Sequence, residues 1–413
     1  MPPRDTLPPA WRILIAGGGP LGLTLALALT QSLGEAVSVT VLDPGFGRTR
    51  SDPRAYALSP GVAAMFATLG IWKDIAPAAE PIRGMTLTDS RVGDAIRPVY
   101  LQFEEREELL GNMVEADRLD AVLRAACEHA EIELLPENVI GFEVGPHGIA
   151  VATAGAGAVR AALLGACDGG RSRLRDLAGI GWVGRSYAQT GIVATIAHEE
   201  PHGGVAIQHF LPAGPFAILP LAGTPGHPNR SSIVWTEDAR QASAVTRLGR
   251  AEILQAIEAR AGPELGRLDL LTDIFTFSLA VGLARGTVAP RLALVGDAAH
   301  QVHPLAGQGM NLGLGDVAAL AERIVDAVRL GLDPGGDPVL EAYQRDRRLD
   351  AVMLAGATDA LNRLFSNDRL PARVLRDIGL GLVDRAPRLK SAFAGQAAGN
   401  AARAPRLMRG EPL

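Results

Sequence analysis

The sequence predicts an α/β fold: a three-layer domain on a parallel sheet, interrupted by an inserted antiparallel sheet and followed by a helical C-terminal region. Three observations predict it. A short apolar run, Arg12–Ala16, ends in glycines and is followed by helix formers and a β-branched run, Val37–Leu42. Together they form a strand–helix–strand unit within about thirty residues. Between about 182 and 285, short alternating stretches crowd around one amphipathic helix, the pattern of an antiparallel sheet. A buried strand at Leu292–Val295 and a long helical stretch from about Gly309 to Leu330 then resume the first pattern. The parallel elements bracket the antiparallel block, so one discontinuous domain with an insertion is expected.

Each element has its own signal. The first ten residues are Pro-rich and are expected to be disordered. Pro20–Leu33 reads as the helix between the first two strands. From Asp117 to Ala130, Leu119, Val122, Leu123 and Ala126 recur at helical spacing. Strand-like stretches follow at Ile132–Leu135, Val139–Val144 and Ile149–Thr153, with Ala154–Ala158 as a hairpin turn. Leu163–Cys167 is a further buried strand, ending at Asp168-Gly169-Gly170. Inside the insertion, Gly191–Ala197, Ala206–Phe210, Phe216–Pro220 and Ser231–Thr236 read as strands, and Arg250–Arg260 as a helix. Past Pro338 the chain reads as helices with Pro and Gly breaks.

The bulk numbers bound the function. A chain of 413 residues exceeds one core and suits about two domains. A net charge of −5 with no basic stripe argues against nucleic acid as a partner. Cys127 and Cys167 are too few and too far apart for a disulfide framework or a metal site, and they fit a reducing cytosol. The start, MPPRDTLPPA, has no apolar core of a secretory signal, and the run Leu21–Leu29 is too short to span a bilayer. A cytoplasmic protein is expected, free or at a membrane surface.

Gly17-Gly18-Gly19-Pro20-Leu21-Gly22 is a G-x-G-x-x-G between strand and helix. Gly17 permits the tight turn, Gly19 lets backbone approach a pyrophosphate, and Gly22 lets helix and strand pack closely. The helix start supplies partial positive charge for the phosphates. Asp43 ends the second strand about twenty residues on, where a carboxylate holds ribose hydroxyls. Dinucleotide binding on a Rossmann-like domain follows, with FAD and NAD both open at this point.

A second constellation separates them. Gly296-Asp297 within Val295–His300, with Pro304 beyond, resembles the GD motif of flavin hydroxylases, in which the Asp binds the ribityl chain. An Asp at a strand end, followed by a helix facing the cofactor, suits both the sugar and a negatively charged reduced flavin. Asp168-Gly169 through Arg175 resembles the DG motif that in these enzymes lies beside the FAD pyrophosphate and the path of NAD(P)H. His303-Pro304-Leu305-Ala306-Gly307-Gln308-Gly309-Met310-Asn311, running on to Asp316, resembles the signature of the ubiquinone-biosynthesis hydroxylases, within the class A flavoprotein aromatic hydroxylases. So do Leu364–Asp368 and Leu380–Asp384. Arg54 matches the family's arginine on a mobile loop near the flavin. Val114-Glu115 begins a family element, with Arg118 on the helix after it, but Ala116 replaces its Asn.

The resemblance implies a fold similar to p-hydroxybenzoate hydroxylase. Its FAD-binding domain would comprise 11–80, 109–181 and 289–335, its substrate domain 81–108 and 182–288, and its helical C-terminal region 336–413. It implies FAD as cofactor, NAD(P)H as electron donor and O₂ as co-substrate, with an oxygen atom passed to a phenolic ring through a flavin C4a-hydroperoxide. The cofactor contacts implied are Gly17, Gly19, Gly22, Asp43, Arg54, Arg118, Asp168, Gly169, Arg175, Gly296, Asp297, Gly307, Gln308, Gly309, Met310 and Asn311. Pro304 and Gly307 would shape the loop at the flavin edge, and His303, like His300, is either a base for the phenol or a structural histidine. No metal is implied.

A polyprenylated phenol or quinol is the substrate expected, with a soluble aromatic compound or a non-catalytic flavin-bound scaffold as alternatives, and an NAD-only dehydrogenase disfavoured by the GD motif. From Arg369 onward nine Lys/Arg face three Asp/Glu among apolar residues. Such a segment suits an anionic membrane surface, a pathway partner or the protein's own core.

Overall fold

Ile13, Leu14, Ile15 and Ala16 are at most 4% exposed, so the first strand is covered on both faces, as a central parallel strand must be. The computed structural model describes residues 11–48, 52–94, 99–103, 109–155, 157–303, 308–365 and 404–413. In it Trp11–Ala16 pairs in parallel with Val37–Leu42 on one side and Leu163–Ala166 on the other. Glu133–Leu135 extends the sheet beyond Val37–Leu42, and Leu292–Leu294 beyond Leu163–Ala166. Val288–Ala289 closes that second edge as an antiparallel strand.

The pleat sorts side chains into two layers. Ile13, Ile15, Val39 and Val41 pack against the helices Pro20–Leu33, Ala116–His129 and Gln308–Arg329. Leu14, Ala16 and Leu42 face a small antiparallel sheet of Val139–Gly145, Gly148–Thr153 and Gly157–Ala161. Helices, parallel sheet and small sheet are the three layers.

The inserted sheet runs, strand beside strand, through His300–Gln301, Phe275–Ala284, Trp182–His198, Arg230–Asp238, Gly214–Leu221, Val205–Leu211, Gly84–Asp89 and Val99–Phe103. Leu268–Leu270 lies beside one end of Trp182–His198. One face carries Ile218, Ile233 and Trp235 against the helices Ala239–Val245 and Arg250–Ala261. The other face turns toward the nucleotide loops.

Two expectations change. Asp297 is not followed directly by a helix: Gly296–Ala298 is a single 3-10 turn, and His300–Gln301 then pairs with Leu283 and Gly282 at the edge of the inserted sheet. The long helix begins only at Gln308, and its first turn reaches the cleft through Gly309 and Met310. The region past Pro338 opens as one helix, Asp337–Phe365, with Pro338 in its first turn, where the missing N–H costs nothing. Leu380–Asp384, most of the basic segment, and the end of Leu364–Asp368 lie outside the described residues.

The last ten residues return to the core. Leu407 and Met408 join the apolar cluster that includes Val62 and Phe66. Arg406 pairs with Asp326 at 2.6 Å, and Arg329 donates to the Leu413 carbonyl at 2.9 Å.

Candidate active site

The glycine loop is shaped by close approach. Gly17 has φ +112, and a Cβ there would lie 2.2 Å from the Cys167 carbonyl oxygen. A Cβ on Gly22 would lie 2.0 Å from the Gly17 oxygen, whereas one on Gly19 would meet nothing within 4 Å. Two glycines thus let strand ends and helix touch, and the third faces the open cleft. Asp43, at the end of its strand, accepts from Gly18 N at 2.7 Å and from Gly45 N at 2.6 Å. Each carboxylate oxygen keeps lone pairs for a sugar hydroxyl.

Gly296 has φ +63 and stands so close to the first helix that a Cβ would meet Leu21 Cδ1 at 2.1 Å. The turn aims Asp297 into the cleft, where its carboxylate has no hydrogen-bond partner among the described residues. Its side chain is open to the cleft yet walled by protein on the remaining sides. That desolvation raises its carboxyl above the usual range, and His300 and Arg54 oppose the rise. Arg54 lines the same cleft, paired with Asp52 at 2.5 Å and set over the Tyr56 ring at 5.8 Å. Burial pushes the Tyr56 phenol up to about 12.

The DG segment lies alongside. Gly169 has φ +80 and lines the cleft. Asp168 Oδ2 accepts from Leu174 N at 3.1 Å, while its buried Oδ1 has no partner among the described residues. Arg175 is 6% exposed; it donates to the carbonyls of Gly170 at 3.3 Å and Ala298 at 3.2 Å and lies over Trp182 at 4.3 Å. It therefore ties the 168–175 loop to the 296–298 turn and does not face the cleft.

Gly309 and Met310 line the cleft from the start of the long helix. The Asn311 amide is committed elsewhere: Oδ1 accepts from Ser59 N at 2.9 Å, and Nδ2 donates to the Ala57 carbonyl at 2.8 Å. Arg118 points away as well, donating to the Asp74 carbonyl at 2.7 Å. A motif position names a residue without naming its partner, and both side chains are engaged inside the fold. Gln308 opens the long helix, and Pro304 and Gly307 lie outside the described residues.

His303 is fully buried and does not line the cleft. Its ring packs edge-on to Tyr187 at 5.3 Å, and neither nitrogen has a partner among the described residues. Burial pushes its pKa down to about 4. His300, by contrast, bonds through Nε2 to Asp316 Oδ2 at 2.6 Å, a buried contact inside the fold.

Two features escaped sequence reasoning. Asp316, 1% exposed, also accepts from Gly296 N at 3.0 Å and pairs with Arg347 at 2.8 Å. A lone aspartate in the apolar helix stretch Leu312–Leu320 was the available signal, since a buried charge requires a partner. The second is the wall opposite the loops. Val193, Ala206, Gln208, Ala217, Leu219 and Val234 of the inserted sheet close a cavity of ≈390 Å³ against Gly19, Arg54, Gly169 and Asp297. Ligands of open α/β sheets bind outside the carboxyl ends of the strands, which is where this cavity lies.

Residues 10–355 match the family model described as FAD binding domain. The chain is 41% identical to a ubiquinone hydroxylase, UbiL, of Rhodospirillum rubrum, over 97% of this chain and 93% of that protein. It is 34% identical to the 3-demethoxyubiquinol 3-hydroxylase of Escherichia coli, over 92% of this chain and 96% of that one. Among solved structures it resembles p-nitrophenol 4-monooxygenase PnpA from Pseudomonas putida, with a TM-score of 0.76 and 19% identity, covering 95% of this chain and 99% of that chain. That likeness shows a shared fold.

Proposed function

The chain belongs to the FAD-binding-domain family and is an FAD-dependent monooxygenase; on that premise we propose that it hydroxylates the aromatic ring of a polyprenylated phenol or quinol on the way to ubiquinone. The observation that carries this reading is the shared cavity. Nucleotide loops form one wall, and a mostly apolar sheet, suited to a lipophilic ring, forms the other.

The residues present suit FAD. Asp297 and the Asp168 Oδ1 atom are acceptors that the described protein leaves unmet, and the glycines bring backbone to the open cleft. We assign the pyrophosphate to Gly17–Gly22 and the start of Pro20–Leu33, the ribose to Asp43, and the ribityl chain to Asp297. Arg54 and Gly169 face the same cleft, with Gly309 and Met310 at its far end. Arg175, Asn311 and Asp316 hold the loops in place from behind. When bound, FAD supplies electron transfer from NAD(P)H and activation of O₂. The apolar strands exclude water and orient the ring, and Arg54 places positive charge beside the cofactor. The basic stretch of sequence from Arg369 to Lys390 supports contact with an anionic membrane surface, where such a substrate resides. No described helix is long and apolar enough to cross a membrane.

The purified protein with FAD, NAD(P)H and ¹⁸O₂ should convert a prenylated phenol to a product heavier by one labelled oxygen. Labelling of soluble aromatic acids alone would overturn the substrate assignment.

A further inference from the structure

The register of the inserted sheet aligns one row across the cavity side. Leu87 stands opposite Gln208, Gln208 opposite Ala217, Ala217 opposite Val234, and Val234 opposite Val193. Residues directly opposite share a face, so these five side chains form a continuous stripe. Four are hydrocarbon and one is an amide.

Alternation sends the neighbours of Gln208 to the far side. His209 Nδ1 shares a hydrogen bond with Thr88 Oγ1 at 2.7 Å, and its ring stacks with Phe216 at 6.4 Å in the helix-covered core. Gln208 itself faces the cavity, only 9% exposed, and its side chain has no hydrogen-bond partner among the described residues. Facing the cavity, the amide offers two donors and an acceptor to whatever fills it. The stripe contains no Lys or Arg, so its one polar side chain suits a neutral oxygen group, and Arg54, the cation of the cavity lining, lies on the opposite wall.

We propose that Gln208 reads the oxygen substituents of the substrate ring, an assignment that rests on the phenol or quinol reading above. Its carbonyl oxygen accepts from a ring hydroxyl, and its NH₂ donates to an adjacent methoxy or carbonyl oxygen. This fixes the in-plane orientation of the ring and thereby which carbon is presented for hydroxylation.

The test compares the FAD-loaded enzyme with Gln208→Leu, which keeps volume but loses the amide, and with Gln208→Met as a second replacement should leucine disturb the strand. Flavin absorbance confirms that FAD is retained. Ligand binding is read from the flavin spectral shift, alongside kcat, KM and the ratio of product to NAD(P)H consumed. Two probes are used: a prenylated methoxyphenol and its analogue lacking both ring oxygens. For the phenol, loss of a neutral hydrogen bond should weaken Kd and kcat/KM roughly tenfold and lower the product ratio. For the oxygen-free analogue, variant and parent should agree within about twofold, because it makes no such bond in either. Equal handling of the phenol by parent and FAD-loaded variants would overturn the assignment. A parent enzyme that binds no prenylated phenol would instead overturn the substrate reading beneath it.

Discussion

His303 shows how burial decides a side chain's chemistry. Its folded pKa of about 4 lies below the 6.5 of an unperturbed imidazole, because the pocket against Tyr187 disfavours the charged ring. Between those values the unfolded chain binds more protons, so stability rises with pH. The penalty of keeping this ring uncharged is absent above about pH 6.5 and grows as pH falls toward 4. His303→Leu should therefore give a shallower fall of Tm between pH 6.5 and 4, measured by thermal unfolding at stepped pH; an unchanged slope would contradict the assignment. A sealed, neutral ring away from the cavity wall also makes a poor base for a phenol. The same variant, with FAD bound, should keep kcat within about tenfold, whereas loss of a general base costs about 10²–10⁴-fold.

The helices Gln308–Arg329 and Asp337–Phe365 lock the GD turn from behind. Asp316 accepts from His300, from Gly296 N and from Arg347, and the Tyr343 hydroxyl donates to the Leu294 carbonyl at 2.7 Å. Burial alone would raise the Asp316 carboxyl, but His300 and Arg347 outweigh it and hold the group below its usual value. Its stabilising share is present above the ordinary carboxylate range and is lost as pH falls through the depressed value. Asp316→Leu should cost about 3–5 kcal/mol, because Arg347 loses its buried carboxylate and keeps only the more exposed Asp350 at 2.6 Å, and should weaken FAD retention by loosening Gly296. Thermal unfolding and flavin release check this; a stable variant that holds FAD as the parent does would refute it. The strand–helix–strand start was legible because glycines, Pro20 and apolar runs mark its boundaries locally. The pairing of His300–Gln301 with the inserted sheet was not, since two residues carry no periodicity and their partner lies outside the local sequence pattern. The same holds for Arg118 and Asn311, whose bonds depend on Asp74 and on Ala57 and Ser59, far away in sequence.

At the scale of the molecule, function arises where two sheets meet. The parallel sheet supplies loops that carry charge and backbone N–H groups, and the inserted sheet supplies an apolar wall with one amide. The sequence announced the first through its three motifs, because phosphates and sugars demand particular residues at particular turns. The second was hidden: alternation in Val205–Leu211 says that two faces exist, but only the assembled sheets reveal which face lines the cavity. Ring hydroxylation on the route to ubiquinone is checked by mass spectrometry of the quinone extract from cells lacking this protein. Accumulation of a polyprenylated precursor short by one ring oxygen, reversed by restoring the protein, is the predicted result. An unchanged ubiquinone pool in cells with no second hydroxylase of this family would contradict it.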